Sequence, residues 1–427
     1  MKRLLFIGDA VCHTGFARVT HNILEHLCKE WEVHVIGVNY NGTPHEYPYP
    51  IWPARLYGDI WGLGTFNNLL PKIKPDVILA IQDPWIAARY ATEIDRGDIP
   101  LAVYMPVDAR NQRPDVCERL NALNLALFYT QFGEVQCRLA GYIGPSFIIP
   151  HGVDTELYRP LDKGACRSRL QIYQHNKQVG LPADAFIVGN VNRNQPRKRL
   201  DLSIQYFAEW IRRVAGCPQR IENAYLYLHC SQRDSVAWDL AQLANYYGVA
   251  DRIILPDSEI VTAAKGLDES EMPYVYGCFD VQITTTEGEG WSLPTIEGMA
   301  CGIPQIVPQY AALGEWAAGA AYMVPCSGYT THPVINTVGA LSEKESFIRA
   351  LDMFYRNPRM RSKYSAMALA RAREPRFQWK RIAELFAHYL RIVMESNDAR
   401  IALREQKEEE LCNHEIPEER ELLATTA

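Results

Sequence analysis

Short apolar runs alternate with segments of helical periodicity in the first part of the chain. Several of these runs are continuously apolar, which is typical of parallel strands covered on both faces. Between the first two runs, Phe16, Ile23 and Leu27 recur at the spacing of one helix face. The alternation predicts a doubly wound α/β domain over residues 1–155. Its predicted strands are Leu4–Gly8, Val33–Val38, Asp76–Ile81, Leu101–Met105, Leu123–Tyr129 and Phe147–Pro150.

A second alternation of the same kind occupies residues 185–375 and predicts a second doubly wound, Rossmann-like domain. Helices are expected between its strands, for example at Leu200–Val214 and Val236–Tyr247. Residues 156–184 lack this rhythm, and we expect them to form an interdomain connection. Such sheets bind ligands beyond the carboxyl ends of their strands, so two facing domains predict a cleft between two substrates. The predicted strands are Phe186–Val191, Ala224–Leu228, Arg252–Leu255, Val281–Thr285, Gln305–Val307 and Ala321–Val324.

The C-terminal part of the chain is predicted to be helical. Residues 343–395 carry successive helical patterns, and residues 376–397 form the last of them. The tail, residues 398–427, is rich in glutamate and includes the run Lys407–Glu410. A run of charges is usually a solvated segment, so a solvated tail is favoured over a helix on the surface.

The composition is that of a soluble globular protein. The 427 residues include 48% apolar and 22% charged residues, and the net charge is −6. This charge disfavours a broad nucleic-acid surface, although a local basic groove stays possible. The eleven cysteines form no C-x-x-C pair and indicate buried thiols in a reducing cytoplasm. The apolar start, Met1–Ile7, is too short for a signal peptide, and no apolar run approaches the roughly 20 residues of a membrane span.

One segment carries most of the chemical information. Glu289 and Glu297 are separated by seven residues, and a predicted strand precedes them. Ser292 suits a helix N-cap and Pro294 a first turn, so a strand, a loop and a helix N-terminus are expected. The free N–H groups and the dipole of that helix favour an anion. Anion-binding amides between two carboxylates suit a ligand with central phosphates and hydroxyls at both ends, as in a nucleotide sugar.

The segment from Glu289 to Glu297 resembles the E-G-F-G-L-P-x-x-E signature of retaining glycosyltransferases of the GT-B fold, chiefly family 4. Trp291 stands for the usual Phe and Ser292 for the usual Gly. In that family the first Glu contacts the transferred sugar and the second holds the ribose. An acidic surface loop is the alternative for the glutamates taken alone. The resemblance implies a donor site made of Glu289, Gly290, Trp291, Ser292, Leu293 and Glu297.

A basic loop after the predicted strand Phe186–Val191 resembles the family's G-R-x-x-x-x-K-G-x-D element, in which an Arg and a Lys bind the donor diphosphate. By spacing these residues are Arg193 and Lys198, with Arg197 as a competitor for the first position. Two fixed cations would stabilise the leaving diphosphate without a metal. Arg199 stands where the family commonly has Gly. A solvated basic turn is the alternative.

The sequence indicates the residues on the acceptor side less clearly than those on the donor side. The loop Asp9–Val19 lacks a G-x-G-x-x-G dinucleotide fingerprint. The resemblance implies that its Gly15, with Thr14 and Phe16, lines the acceptor. Asp108, after the strand Leu101–Met105, is the candidate acceptor-side carboxylate and could equally be a loop aspartate that caps a turn. His13 is a candidate catalytic base, but a loop histidine without a role is favoured.

Two further segments extend the resemblance. Ile149–Pro160 is similar to the family's I-P-N-G-V-D-x-x-x-F-x-P at the domain crossover, where its role is structural. His151 is therefore not expected to be catalytic. Arg376–Ala383 resembles F-s-W-e-x-x-A, which begins a last helix that packs back on the N-terminal domain. The resemblance thus implies a GT-B fold over most of the chain.

The expected function is metal-independent, retaining transfer of a hexose-type sugar from a nucleoside-diphosphate sugar to an unidentified hydroxyl acceptor. The resemblance implies a front-face mechanism. No D-x-D metal motif occurs, and no cofactor is expected besides the donor as co-substrate. The alternatives are a nucleotide-sugar-binding protein without activity and a transferase that modifies a macromolecule such as nucleic acid. An epimerase or a phosphorylase is disfavoured by the two glutamates and the short length.

Overall fold

The computed structural model describes residues 1–55, 58–175, 177–214, 221–232, 238–262 and 265–414. In the N-terminal domain, strands and helices alternate along the chain as predicted. The elements are β1 (Lys2–Asp9), α1 (Gly15–Leu27), β2 (Trp31–Val38), β3 (Ile51–Pro53), α2 (Leu63–Ile73), β4 (Val77–Ile81), α3 (Pro84–Glu93), β5 (Leu101–Met105), α4 (Pro114–Arg119), β6 (Leu125–Phe128), α5 (Gln131–Leu139) and β7 (Ser146–Ile148).

These strands form a seven-stranded parallel sheet in the order β3-β2-β1-β4-β5-β6-β7. Leu4 and Phe6 of β1 pack into one buried cluster, while Leu5 and Ile7 pack into another. Because successive side chains of a strand point to opposite faces, both faces of this sheet are covered. This is why the strands appear in the sequence as continuous apolar runs.

The second domain contains a second sheet. Its elements are α6 (Lys163–Arg169), β8 (Ile172–Gln174), β9 (Lys177–Val179), β10 (Phe186–Val191), α7 (Leu200–Val214), β11 (Ala224–His229), α8 (Leu240–Tyr246), β12 (Ile253–Pro256), α9 (Met272–Gly277), β13 (Val281–Ile283), α10 (Leu293–Ala300), β14 (Gln305–Pro308), α11 (Ala311–Trp316), β15 (Tyr322–Val324), β16 (Cys326–Thr331) and β17 (Val338–Ser342).

Six parallel strands form the body of the second sheet, in the order β15-β14-β13-β10-β11-β12. Strands β8 and β9 extend its edge as an antiparallel pair. The segment 156–184 is therefore more than a connection, since it contributes α6 and this edge hairpin. Strands β16 and β17 pair as a separate hairpin that follows the sheet. The predicted helix start at Val236 lies outside the described residues.

Three helices complete the chain: α12 (Lys344–Arg356), α13 (Pro358–Ala372) and α14 (Trp379–His414). The last of them packs on the N-terminal domain, as predicted. Phe386 meets Tyr104 of β5 with ring centroids 4.9 Å apart, and Tyr389 stacks on Phe147 of β7 at 4.1 Å. The fold is therefore GT-B, with two doubly wound domains and a returning helix.

Helix α14 continues past residue 397 to His414 without a break. The first part of the predicted charged tail thus extends this helix, and residues 415–427 lie outside the described residues. None of the helices in the described part of the chain combines the length and the apolar character that a bilayer crossing requires.

The crossover between the domains allows little room around Gly152. A Cβ atom at this glycine would lie 2.6 Å from Cδ2 of Trp379, the first residue of α14. The family-like glycine is thus explained by close packing against the returning helix.

We expect Gly152→Ala to lower the free energy of unfolding by about 1–3 kcal/mol, because the added methyl group overpacks this contact. Urea denaturation would measure the loss. Gly180→Ala is the matched control, since nothing lies within 4 Å of the Cβ position there. Equal stabilities of the two variants would contradict the role assigned to this contact.

Candidate active site

A strand, a loop and a helix form the centre of the candidate site, as the sequence predicts. Strand β13 ends at Ile283, and α10 begins at Leu293 with Pro294 in its first turn. The loop between them is buried throughout. The first turn of α10 therefore brings the positive end of its dipole to an enclosed loop, while the Thr295 N–H donates to the Ser292 oxygen at 3.1 Å.

Ser292 does not cap α10, so this prediction is wrong. Its backbone is left-handed, with φ 80° and ψ 73°, and its hydroxyl lies 2.8 Å from the hydroxyl of Thr295 instead. An N-cap needs an extended backbone, which this residue does not have. The family's usual glycine is the residue that adopts this conformation without strain. A serine here holds the same turn at a conformational cost.

Glu289 is the most strongly paired carboxylate of the loop. It is 4% exposed. Lys198 Nζ lies 2.5 Å from its Oε1, and Arg197 Nη1 lies 3.4 Å from its Oε2. Both cations come from the loop that follows β10, the strand next to β13. The two predicted motifs are thus joined by a cluster of three charges around a buried carboxylate.

The pKa values of this cluster follow from burial and from the paired charges. Burial acts to raise the pKa of Glu289, but the charges of Lys198 and Arg197 outweigh it and hold the pKa below its ordinary value. Burial lowers the pKa of Lys198 more than Glu289 raises it. The Glu289 carboxylate is therefore ionised at neutral pH. Of the charged groups in this cluster, the Lys198 ammonium is the one whose charged form its surroundings stabilise least.

The structure brings Arg197 to Lys198 at Glu289, whereas Arg193 lies exposed on the same loop. The backbone explains the geometry. Residues Pro196–Lys198 form a short 3₁₀ turn, which Arg199 ends in a left-handed conformation with φ 50°. The family's common glycine at this position suits that conformation, and in this chain Arg199 is held there by an ion pair with Asp201 at 2.8 Å.

Glu297 lies one turn into α10 and is 2% exposed. Its Oε1 pairs with Arg18 of α1, and its Oε2 accepts a hydrogen bond from the Tyr276 hydroxyl at 2.6 Å. Burial raises the pKa of Glu297 above its ordinary value, although Arg18 and Tyr276 counteract this. Arg18 also lies 3.3 Å from Glu269. The carboxylate that should hold the ribose is thus fully paired across the two domains.

Trp291 supports the loop through its ring. The ring is 4% exposed and stacks on Trp316 with centroids 5.0 Å apart. Trp316 Nε1 also donates a hydrogen bond to the backbone oxygen of Trp291 at 2.8 Å. The predicted donor-site residue is therefore an anchor that fixes the backbone next to Gly290.

The predicted acceptor loop lies against the donor loop. Thr14 caps α1, since its hydroxyl accepts from the Ala17 N–H at 3.0 Å and donates to Asp9 at 2.6 Å. A Cβ atom at Gly15 would lie 3.6 Å from Leu293 of α10. Phe16 is partly buried against the interdomain core. These three residues therefore lie at the edge of the cleft where the two domains are in contact.

Asp108 is held by a cation of the other domain. Its Oδ2 lies 3.2 Å from Arg197 Nε, so the predicted acceptor-side carboxylate is paired with a cation of the donor side. The donor loop packs tightly beside it. A Cβ atom at Gly288 would lie 1.9 Å from the Asp108 carbonyl oxygen, and one at Gly290 would lie 2.5 Å from Pro106. The two glycines thus permit the domains to meet.

The two histidines considered in the sequence lie outside this chemistry. Burial lowers the pKa of His151 to about 3, and its Nδ1 lies 2.6 Å from the Tyr104 hydroxyl. His13 is exposed in the loop before α1.

Three residues of the cleft were missed from the sequence. Arg18 and Tyr276 bind Glu297, and Asp83 lies just after β4 on the acceptor side. Arg18 shares its helix face with His21, Asn22 and Glu25, so its position in the sequence resembles an ordinary polar face. Knowledge of the strand order would have indicated Asp83 as a cleft residue, because Asp83 follows β4, the strand next to β1.

Sequence relatives of the chain are glycosyltransferases. The chain is 30% identical over 167 residues to D-inositol 3-phosphate glycosyltransferase 2 of Catenulispora acidiphila, a match covering 39% of this chain and 35% of the relative. It is 29% identical over 244 residues to D-inositol 3-phosphate glycosyltransferase of Stackebrandtia nassauensis, covering 56% and 46%. The matches thus span between a third and a half of these relatives. No family model matches the chain.

Solved structures share the fold over almost the whole chain. Sucrose-phosphate synthase from Thermosynechococcus elongatus superposes with a TM-score of 0.67 at 15% identity, covering 92% of this chain and all of that one. Anabaena HepE in complex with UDP-glucose superposes with a TM-score of 0.66 at 15% identity, covering 91% and 99%. These likenesses confirm the GT-B fold, and with the relatives they confirm the resemblance to group 1 glycosyltransferases.

Proposed function

We propose that this chain, a relative of the group 1 glycosyltransferases of the GT-B fold, transfers a hexose-type sugar from a nucleoside-diphosphate sugar to a hydroxyl acceptor with retention of configuration. The observation that carries the proposal is the pairing of the buried Glu289 with Lys198 and Arg197 beside the N-terminus of α10. Two cations and a helix dipole suit a diphosphate, and the carboxylate suits the hydroxyls of a sugar.

The cluster supplies the charged groups that the donor needs. Lys198 and Glu289 neutralise each other at 2.5 Å. A bound diphosphate would take over Lys198 and Arg197, and Glu289 would then accept hydrogen bonds from the sugar. Preorganised charges of this kind stabilise the charge that develops on the leaving diphosphate. We therefore propose that catalysis needs no divalent metal.

The ribose end of the donor would bind at Glu297. Its two oxygens contact Arg18 and Tyr276. The ribose hydroxyls would replace the contact with Arg18, which lies on the N-terminal domain. Donor binding is thereby coupled to a contact that joins the domains.

The reaction would be a front-face displacement. The acceptor oxygen forms a bond to the anomeric carbon on the side from which the diphosphate leaves. The bond between that carbon and the phosphate oxygen breaks, and the hydroxyl proton passes to the departing phosphate oxygen. Positioning and electrostatics supply the catalysis, as the cluster of fixed charges suggests.

UDP-glucose is the first donor to test, because the solved structures that share this fold include a complex with UDP-glucose. The relatives named for D-inositol 3-phosphate support a polyhydroxylated acceptor in general terms. The attacking group of such an acceptor would be a hydroxyl.

The test of the proposal is hydrolysis of nucleotide sugars by water, measured with a panel of UDP-, GDP- and ADP-sugars in the presence of a chelator. We expect one donor to be hydrolysed slowly, and the rate to be the same with magnesium, manganese or EDTA. The absence of both binding and hydrolysis for all donors would refute the function. A strict requirement for a divalent cation would refute only the metal-independent mechanism.

Lys198→Ala should lower this rate by about 10² or more, because a stabiliser of the leaving group is lost. Arg197→Ala should have a smaller effect, and Arg193→Ala the smallest if its exposed position persists with donor bound. Lys363→Ala, an exposed lysine on α13, is the control. Steady-state rates with the hydrolysed donor decide the order. A loss for Arg193→Ala that exceeds the loss for Arg197→Ala would show that the loop changes register when the donor binds.

A further inference from the structure

Four polar side chains follow neighbouring strands of the N-terminal sheet at its carboxyl edge. Asp9 ends β1, Asp83 follows β4, Asp108 follows β5 and Tyr129 follows β6. Strands β1 and β4 are adjacent, and the chain order reverses between them. Ligands of doubly wound sheets bind at such a reversal. Asp9 and Asp83 therefore flank the position where this domain should hold its substrate.

Two of the three aspartates already have partners. Asp9 accepts hydrogen bonds from Thr14 at 2.6 Å and from Asn39 at 2.9 Å, so it shapes the loop before α1. Asp108 pairs with Arg197 at 3.2 Å. Neither carboxylate is available to a substrate without breaking a contact that supports the site.

Asp83 differs from both. It occupies the N-cap position of α3, but its side chain makes no capping hydrogen bond. Only its backbone oxygen accepts hydrogen bonds from N–H groups of the helix. Among the described residues, its carboxylate has no hydrogen bond or ion pair within contact distance. The residue is partly exposed, and the charges that act on it are Asp108, Arg197 and Asp9, all at the cleft.

The surroundings make an ionised Asp83 costly. Burial and the charge of Asp108 raise its pKa to about 7, Arg197 counteracts them, and Asp9 adds to the rise. Tyr129 lies near enough for Asp83 to raise the pKa of its phenol further, beyond the effect of burial. Tyr129 is 3% exposed, and its hydroxyl group has no hydrogen-bond partner in the described structure. Two polar groups at the carboxyl edge of this sheet thus lack partners among the described residues, which is a pattern of functional sites.

We propose that the Asp83 carboxylate accepts a hydrogen bond from the attacking hydroxyl of the acceptor. This inference rests on the proposed function and gives it an acceptor-binding residue. As the acceptor oxygen bonds to the anomeric carbon and the bond to the diphosphate breaks, the hydroxyl proton passes to the phosphate oxygen, and Asp83 stays ionised. Its negative charge aligns the hydroxyl and favours the positive charge that develops on the attacking oxygen.

The experiment compares wild type with Asp83→Asn, using UDP-glucose, or the sugar nucleotide that wild type hydrolyses, with water as acceptor. We expect kcat to fall about 10–100-fold, because the attacking oxygen loses its hydrogen-bond acceptor. Affinity for UDP, measured by calorimetry, should stay within about twofold, since the residue lies on the acceptor side. The wild-type rate should rise with pH through about 7, where Asp83 ionises, and the variant should lack this rise.

Stability distinguishes this role from a structural one. A carboxyl group with a raised pKa binds its proton more tightly in the folded state. Wild type therefore loses stability as the pH rises from about 4, the ordinary pKa of an aspartate, to about 7. Asn does not titrate, and Asp83→Asn should therefore be at least as stable as wild type at pH 8. Asp239→Ala is the control for a lost helix cap, because Asp239 does cap its helix, accepting from the Gln242 N–H at 2.9 Å. It should lower stability without changing kcat.

Two results would overturn the inference. One is a wild-type rate and pH profile for Asp83→Asn. The other is a joint loss of stability and UDP binding in that variant, which would show that the residue is structural. If wild type itself neither binds UDP nor hydrolyses any donor, the proposed function fails, and the inference fails with it.

Discussion

The ion cluster of Glu289, Lys198 and Arg197 is the interaction on which the candidate site depends. A buried carboxylate without partners would be too costly, and two cations from a neighbouring strand end balance it. The pairing fixes the loops after β10 and β13 relative to each other. Arg197 also reaches Asp108, so the same cluster joins the two domains. The groups proposed to bind the donor are thus those that hold the cleft closed without it.

Close backbone packing is the second constraint. Gly288 and Gly290 lie so near the loop after β5 that a side chain at either position would collide with Asp108 or Pro106. The hairpin β16–β17 adds hydrogen bonds across the cleft, where Arg110 and Val338 exchange backbone contacts at 3.0 and 2.9 Å. Because the paired charges and the close backbone contacts lie at the same interface, we expect donor binding to exchange contacts between the two domains.

The elements that depend on local pattern could be predicted from the sequence. Continuous apolar runs identified most strands of both sheets, and the spacing of Glu289 and Glu297 identified the loop and helix between them. Features that depend on distant partners could not be predicted. The hairpin β8–β9 is defined by its pairing with β12, and the contact of Arg18 with Glu297 joins residues of different domains. Ser292 failed as a cap because the loop, and not its own preference, sets its backbone.

The central claim is that Glu289 and Glu297 bind opposite ends of one nucleotide sugar. It is tested most directly by calorimetric titration of Glu289→Gln and Glu297→Gln with UDP and with UDP-glucose. We expect Glu297→Gln to weaken both ligands by about tenfold, since the ribose loses a charged hydrogen-bond acceptor. Glu289→Gln should leave UDP affinity unchanged or tighter, because Lys198 is released for the diphosphate, and should weaken UDP-glucose alone. Equal losses for both ligands in both variants would contradict the account, because the two carboxylates would then serve only to hold the structure together.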